Sequence, residues 1–185
     1  MRYWYDTEFI EDGKTIDLIS IGIVAEHGRE LYAESIDADL SQASDWVREN
    51  VLPHLWSKQK DKKRANGWSR DGGKGGLLYR RDIRSEIEHF CDPSIYSKPE
   101  LWGYYSAYDH VALCQLFGTM MDLPNGWPMY TRDLRQWADS IGITEDMDKL
   151  IPQKGEHNAL ADARWNRQAW EFLNAKENNG KASTI

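Results

Sequence analysis

The stretch Tyr3-Trp4-Tyr5-Asp6-Thr7-Glu8-Phe9 constrains this chain more than any other. Aromatic and β-branched residues dominate it, and such residues suit a pleated, half-buried strand. Asp is depleted in strands, so Asp6 sits against local preference. Side chains alternate along a strand, which puts Trp4, Asp6 and Glu8 on one face and Tyr3, Tyr5, Thr7 and Phe9 on the other. Residues two apart have Cα atoms roughly 6.6 Å apart. Two carboxylates at that spacing either converge on a divalent cation or form the solvated acidic face of an edge strand. The choice depends on whether the rest of the chain supplies further ligands.

A length of 185 residues predicts one domain, large enough to bury a core without disulfides. The formal net charge of −7 argues against a protein that coats duplex nucleic acid by charge alone. It leaves open a site that meets a few phosphates through bound metal, since a carboxylate site adds to the negative total. Nine Trp and nine Tyr serve equally as core mass or as base-stacking platforms. Cys91 and Cys114 form no ligand spacing, which fits a reduced compartment. The first residues form no apolar leader, and no run approaches the ~20 apolar residues that span a bilayer. A cytoplasmic location is the expectation.

Asp12-Gly13 marks a turn, and residues 17–25 then read as a strand apolar on both faces, with Ile19, Ile21 and Ile23 on one side and Leu18, Ser20, Gly22 and Val24 on the other. Residues 29–36 alternate as a third strand, so the chain opens with an antiparallel meander. Residues 41–52 predict a helix capped by Ser41 or Ser44 and stopped by Pro53. Residues 57–76 are basic and then glycine-rich, with no apolar period. They read as a surface insertion: either a flap whose Lys and Arg residues touch substrate phosphates or a solvated loop. Helical spacing resumes over 77–91, and a strand follows over 100–105. Further helices are expected at about 108–117, 132–141 and 158–175, with Gly142 just past the second and a polar, frayed tail over 176–185. Strands followed by mixed helices and strands predict an α/β sheet with helices on both faces. The first strand would be central and carry Asp6 and Glu8 to a cleft.

Three more polar residues bear on that cleft. Asp109 opens a helix after a strand, where the helix dipole favours a carboxylate by about 0.3–1 kcal/mol, so it is a metal ligand or a capping acid. Asp162 lies among small apolar neighbours in a helix. A charge there is costly unless it binds metal or pairs, with Arg164 or Arg167 as the available partners. His157 comes just before that helix, five residues ahead of Asp162. It is either a surface residue or a mobile imidazole, which titrates near pH ~6.5 and suits proton abstraction. Four carboxylates in one cleft repel: two unit charges about 5 Å apart at an effective dielectric of about 20 cost about 3 kcal/mol. The fold would then gain stability from cations.

Together, Asp6-x-Glu8, Tyr108-Asp109 after a strand, and His157-x4-Asp162 resemble the three motifs of the DEDDh 3′→5′ exonuclease superfamily, which has the ribonuclease H-like fold. Residues 1–36, 100–118 and 157–164 are similar to the polyadenylate-specific exoribonuclease AS family, whereas residues 57–76 are not and the likeness fades after Arg167. The resemblance implies a ribonuclease H-like mixed sheet and hydrolysis of single-stranded RNA from its 3′ end to nucleoside 5′-monophosphates, with a preference for adenylate. It further implies two Mg²⁺ or Mn²⁺ ions held by Asp6, Glu8, Asp109 and Asp162, with His157 as general base and a homodimeric assembly. Thr7 and Phe9 would touch the terminal nucleotide and Tyr108 would stack there, with core packing as the alternative role for Phe9 and Tyr108. The rival expectations are an enzyme of short oligoribonucleotides or DNA proofreading, and a non-catalytic single-stranded RNA-binding module.

Overall fold

The computed structural model describes residues 1–58 and 76–182, with side chains as far as residue 179. Most of the Gly/Lys-rich insertion read over 57–76 therefore lies outside the described residues. Six strands, β1 (Arg2–Glu11), β2 (Ile16–Ala25), β3 (Glu30–Ser35), β4 (Gly76–Leu78), β5 (Glu100–Gly103) and β6 (Arg132–Asp133), form one sheet in the order β4-β3-β2-β1-β5-β6. The β1–β2 and β2–β3 pairs are antiparallel, and the β1–β5, β3–β4 and β5–β6 pairs are parallel. The architecture is mixed α/β, with the predicted meander followed by parallel strands, and is consistent with a ribonuclease H-like fold. Because β1 lies between β2 and β5, the reading of Asp6 and Glu8 as the face of an edge strand is overturned.

Helices α1 (Asp45–Asn50), α2 (Arg80–Phe90), α3 (Pro93–Tyr96), α4 (Ala107–Phe117), α5 (Leu134–Ser140), α6 (Met147–Leu150) and α7 (Ala159–Ala182) cover both faces of the sheet. Tyr3, Tyr5, Ile21 and Ile23 pack with Ile83 and Ile87 of α2 and Leu113 of α4. Ile83 and Ile87 are fully buried, each burial contributing roughly 1.5–3 kcal/mol. On the other face Trp4 and Val24 pack under Ala159, Leu160 and Ala163 of α7. The predicted alternation of β2 fails at one point. Glu8 pairs with Ser20 and Phe9 with Leu18, so Ile19 is an extra residue at a bulge. The slip turns Leu18 onto the face of Ile21 and Ile23, and Ile19 onto the opposite face with Ile10 and Val47 of α1.

Element ends differ from expectation where non-local pairing competes with helical spacing. Leu77 and Leu78, read as helix, pair with β3, and α2 starts only at Arg80. Arg132 and Asp133, also read as helix, pair with Trp102 and Gly103, while the Asp133 carboxylate accepts from the Arg135 and Gln136 N–H groups and caps α5. The helix expected over 41–52 is confined to α1, because the Ser44 hydroxyl accepts from Val47 N–H and fixes the start there. The strand expected over 100–105 stops at Gly103. The four-residue helix α6 was not foreseen. The tail expected to fray continues α7 to Ala182, held laterally where Trp137 Nε1 of α5 donates to Glu177 at 3.1 Å. Among the described residues no helix is long and apolar enough to cross a membrane.

Candidate active site

β1 carries Asp6 and Glu8 on the face covered by α7. Opposite Asp6 across the β1–β2 ladder is Gly22, and a Cβ there would lie 2.3 Å from the Ala159 carbonyl oxygen and 2.4 Å from Leu160 Cα. Only a residue without a side chain lets α7 approach so closely. Asp162 follows one turn along α7. One carboxylate oxygen from each of Asp6, Glu8 and Asp162 lies within 4.8 Å of the others, the one such grouping among the described residues. These carboxylates lie in a cleft of about 460 Å³, which Asp109 and His157 also line.

Asp109 reaches the cleft from α4, on the opposite face of the sheet. Its Oδ1 accepts from Thr7 N–H at 2.8 Å and from the Thr7 hydroxyl at 2.6 Å. It sits in the first turn of α4 behind Ser106, so it does not cap the helix. Nor is Asp162 held by an arginine. Arg164 makes a two-point pair with Glu30, at 2.8 and 2.7 Å, and Arg167 pairs with Glu171 at 3.0 Å. Asp162 instead accepts from the Gln153 side chain and from the backbone N–H of His157. Gln153 lies in an aperiodic segment between α6 and α7, where nothing in the local sequence marks it.

Burial pushes all four carboxyls toward the protonated form, and repulsion within the cluster adds to it at Asp6 and Glu8. Asp6 is raised well above the usual range, by burial first and then by Asp109, Asp162 and Glu8. Burial and the neighbouring Asp162 push Glu8 up to about 9. Asp162 rises to about 7 by burial, against the hydrogen bonds from Glu8, Gln153 and His157 that favour its ionised form. Asp109 rises to about 6, burial prevailing over its two bonds from Thr7. Hard oxygen donors crowded beyond what the protein's own charges neutralise suit a hard divalent cation. The donor set fits Mg²⁺ or Mn²⁺.

His157 is held in the left-handed backbone region, at φ 64°. Trp165 Nε1 donates to Ile151 O at 2.8 Å and ties the segment before His157 to α7. The walls are aromatic: Trp46 meets the His157 ring edge to face, and Tyr104 packs between Tyr105 and Trp165. Tyr105 is 66% exposed and also has a positive φ, 52°. Sequence reading placed both tyrosines in a strand and so missed this wall. Thr7 and Phe9 line the cleft. Tyr108 stacks on Phe9 with ring centroids 5.9 Å apart and planes 13° from parallel.

A family model described as "3'-5' exoribonuclease Rv2179c-like domain" matches residues 1–174. Two curated proteins from Mycobacterium tuberculosis are 41% identical to the chain over 184 residues, covering 99% of each sequence. They are named 3'-5' exoribonuclease Rv2179c, from strain H37Rv, and 3'-5' exoribonuclease MT2234.1, from strain CDC 1551.

Proposed function

The chain belongs to the 3'-5' exoribonuclease Rv2179c-like domain family and is an enzyme of that class, and on this premise we propose that it hydrolyses single-stranded RNA from the 3′ end by a two-metal mechanism. Asp6, Glu8, Asp109 and Asp162 would hold the two cations. Bound there, Mg²⁺ or Mn²⁺ supplies the Lewis acidity that activates water and stabilises the departing 3′-oxygen. His157 takes the proton of the attacking water, a general-base contribution of typically ~10²–10⁴-fold. Thr7 keeps Asp109 turned toward the cleft. Phe9 and Tyr108 offer a stacked aromatic surface to the terminal base. Each cycle breaks the P–O bond to the upstream 3′-oxygen and releases a nucleoside 5′-monophosphate. The sequence resemblance adds a preference for adenylate-rich ends and a homodimeric assembly.

The observation that carries this reading is the meeting of Asp6, Glu8 and Asp162, from two separate elements, within 4.8 Å in a cleft shared with His157. The test is 5′-labelled adenylate-rich RNA incubated with Mg²⁺, Mn²⁺ or EDTA, beside matched uridylate-rich RNA, DNA and a dinucleotide. Metal-dependent release of mononucleotides, lost in EDTA and reduced at least ~10²-fold in His157→Ala, is expected. Equal binding in EDTA with no product in metal would mark a non-catalytic RNA module instead.

A further inference from the structure

We propose that Trp46 is a positioning residue that holds the imidazole of His157 over the carboxylate cluster. The inference rests on the assignment of His157 as general base. Helix α1 is anchored by Val47, which packs with Ile10, Ile19 and Val51 in one apolar cluster. The Ser44 hydroxyl bonds Val47 N–H and fixes where the helix starts. Trp46 points away from that cluster. It is 55% exposed, so its ring is available to the cleft and not to the core.

Its ring lies 4.9 Å from that of His157, with the planes at 82°, an edge-to-face arrangement favoured by the aromatic quadrupole. Both residues line the cleft. The His157 backbone sits at φ 64°, a conformation that an L side chain holds only with support from its surroundings. Two contacts give that support: the backbone N–H bonds Asp162, and the ring meets Trp46. The first fixes the main chain and leaves the ring free to turn; the second restrains the ring. Trp46 therefore acts on proton transfer through His157 and leaves the metal ligands untouched.

The test compares kcat, KM and Mn²⁺ affinity, the last by calorimetry without RNA, in Trp46→Ala, Trp46→Leu, Trp46→Phe and each Trp46 change combined with His157→Ala. In Trp46→Ala, and in Trp46→Leu, which keeps apolar bulk without a ring, kcat should fall roughly three- to tenfold, the rate equivalent of one aromatic pair. KM and Mn²⁺ affinity should stay at wild-type values, and Trp46→Phe should retain most of kcat. In the His157→Ala background, removal of Trp46 should have no further effect on kcat, because residues acting as a unit are not additive. A raised KM with kcat intact overturns the proposal and makes Trp46 a base-stacking wall. So does an undiminished loss in the His157→Ala background. A His157→Ala variant with wild-type kcat refutes the general-base assignment itself, and the positioning role with it.

Discussion

Thr7 gives two hydrogen bonds to a single oxygen of Asp109, one from the main chain and one from the hydroxyl. Because valine keeps the backbone N–H, Thr7→Val isolates the hydroxyl at nearly constant volume. Partners that orient a ligating carboxylate typically account for ~10–100-fold in metal affinity. Calorimetric titration of Thr7→Val should show Mn²⁺ affinity reduced within that range, with a near wild-type melting temperature. An unchanged affinity would mean that the main-chain bond alone orients Asp109. Sequence alternation correctly put Thr7 on the face opposite Asp6, but nothing along the chain indicated that this face meets an acid 102 positions away. Gln153 illustrates the same limit: its bond to Asp162 depends on how a segment without periodicity folds back.

The approach of α7 to the sheet decides whether the acidic residues meet. Gly22 permits that approach, and Ala159 and Ala163, both fully buried, form the small-residue surface that rests near it. In Gly22→Ala the new methyl would meet backbone atoms that no side-chain rotation can move aside, so α7 must shift. Overpacking of this kind costs about 1–3 kcal/mol. The expected outcome is a lowered melting temperature together with weakened Mn²⁺ binding, since Asp162 moves with the helix. Ile23→Val, one position further on β2 but in the core of the opposite face, should cost roughly 0.5–1.5 kcal/mol and leave Mn²⁺ affinity unchanged. If Gly22→Ala binds Mn²⁺ like the wild type, the close approach does not set the ligand geometry. The bulge at Ile19 acts on the same scale, since one extra residue lets Leu18 and Ile21, on either side of it, face the same core while Ile19 turns to the other.

Across the whole molecule, the acidic cluster should make stability depend on pH and, through the proposed cation site, on metal. The folded-state values of Asp109, Asp162 and Glu8, about 6, 7 and 9, all lie above the usual carboxyl range. The folded protein therefore holds more protons than the unfolded chain, and stability falls as pH rises. In EDTA the contribution is complete below the ordinary carboxyl range near pH ~4 and is lost as pH climbs through about 6, 7 and 9. Melting curves in EDTA should therefore drop steadily over that interval. Millimolar Mn²⁺ should raise the melting temperature most at the alkaline end, and less in Asp6→Asn. Coincident curves with and without metal would contradict a shared cation site. Local information was enough for much of this molecule. The alternation in residues 3–9, the apolar run of β2 and the stripe of Ile83 and Ile87 determined the meander, the α2 face and the presence of a core, because each depends only on side-chain periodicity along one segment. Pairing over long range was decided only in three dimensions. It made β4 and β6 out of residues with helical spacing, extended α7 through a bond from Trp137, and brought Trp46 against His157. Such contacts form between segments far apart in the chain, and the geometry that joins them is written in neither segment alone.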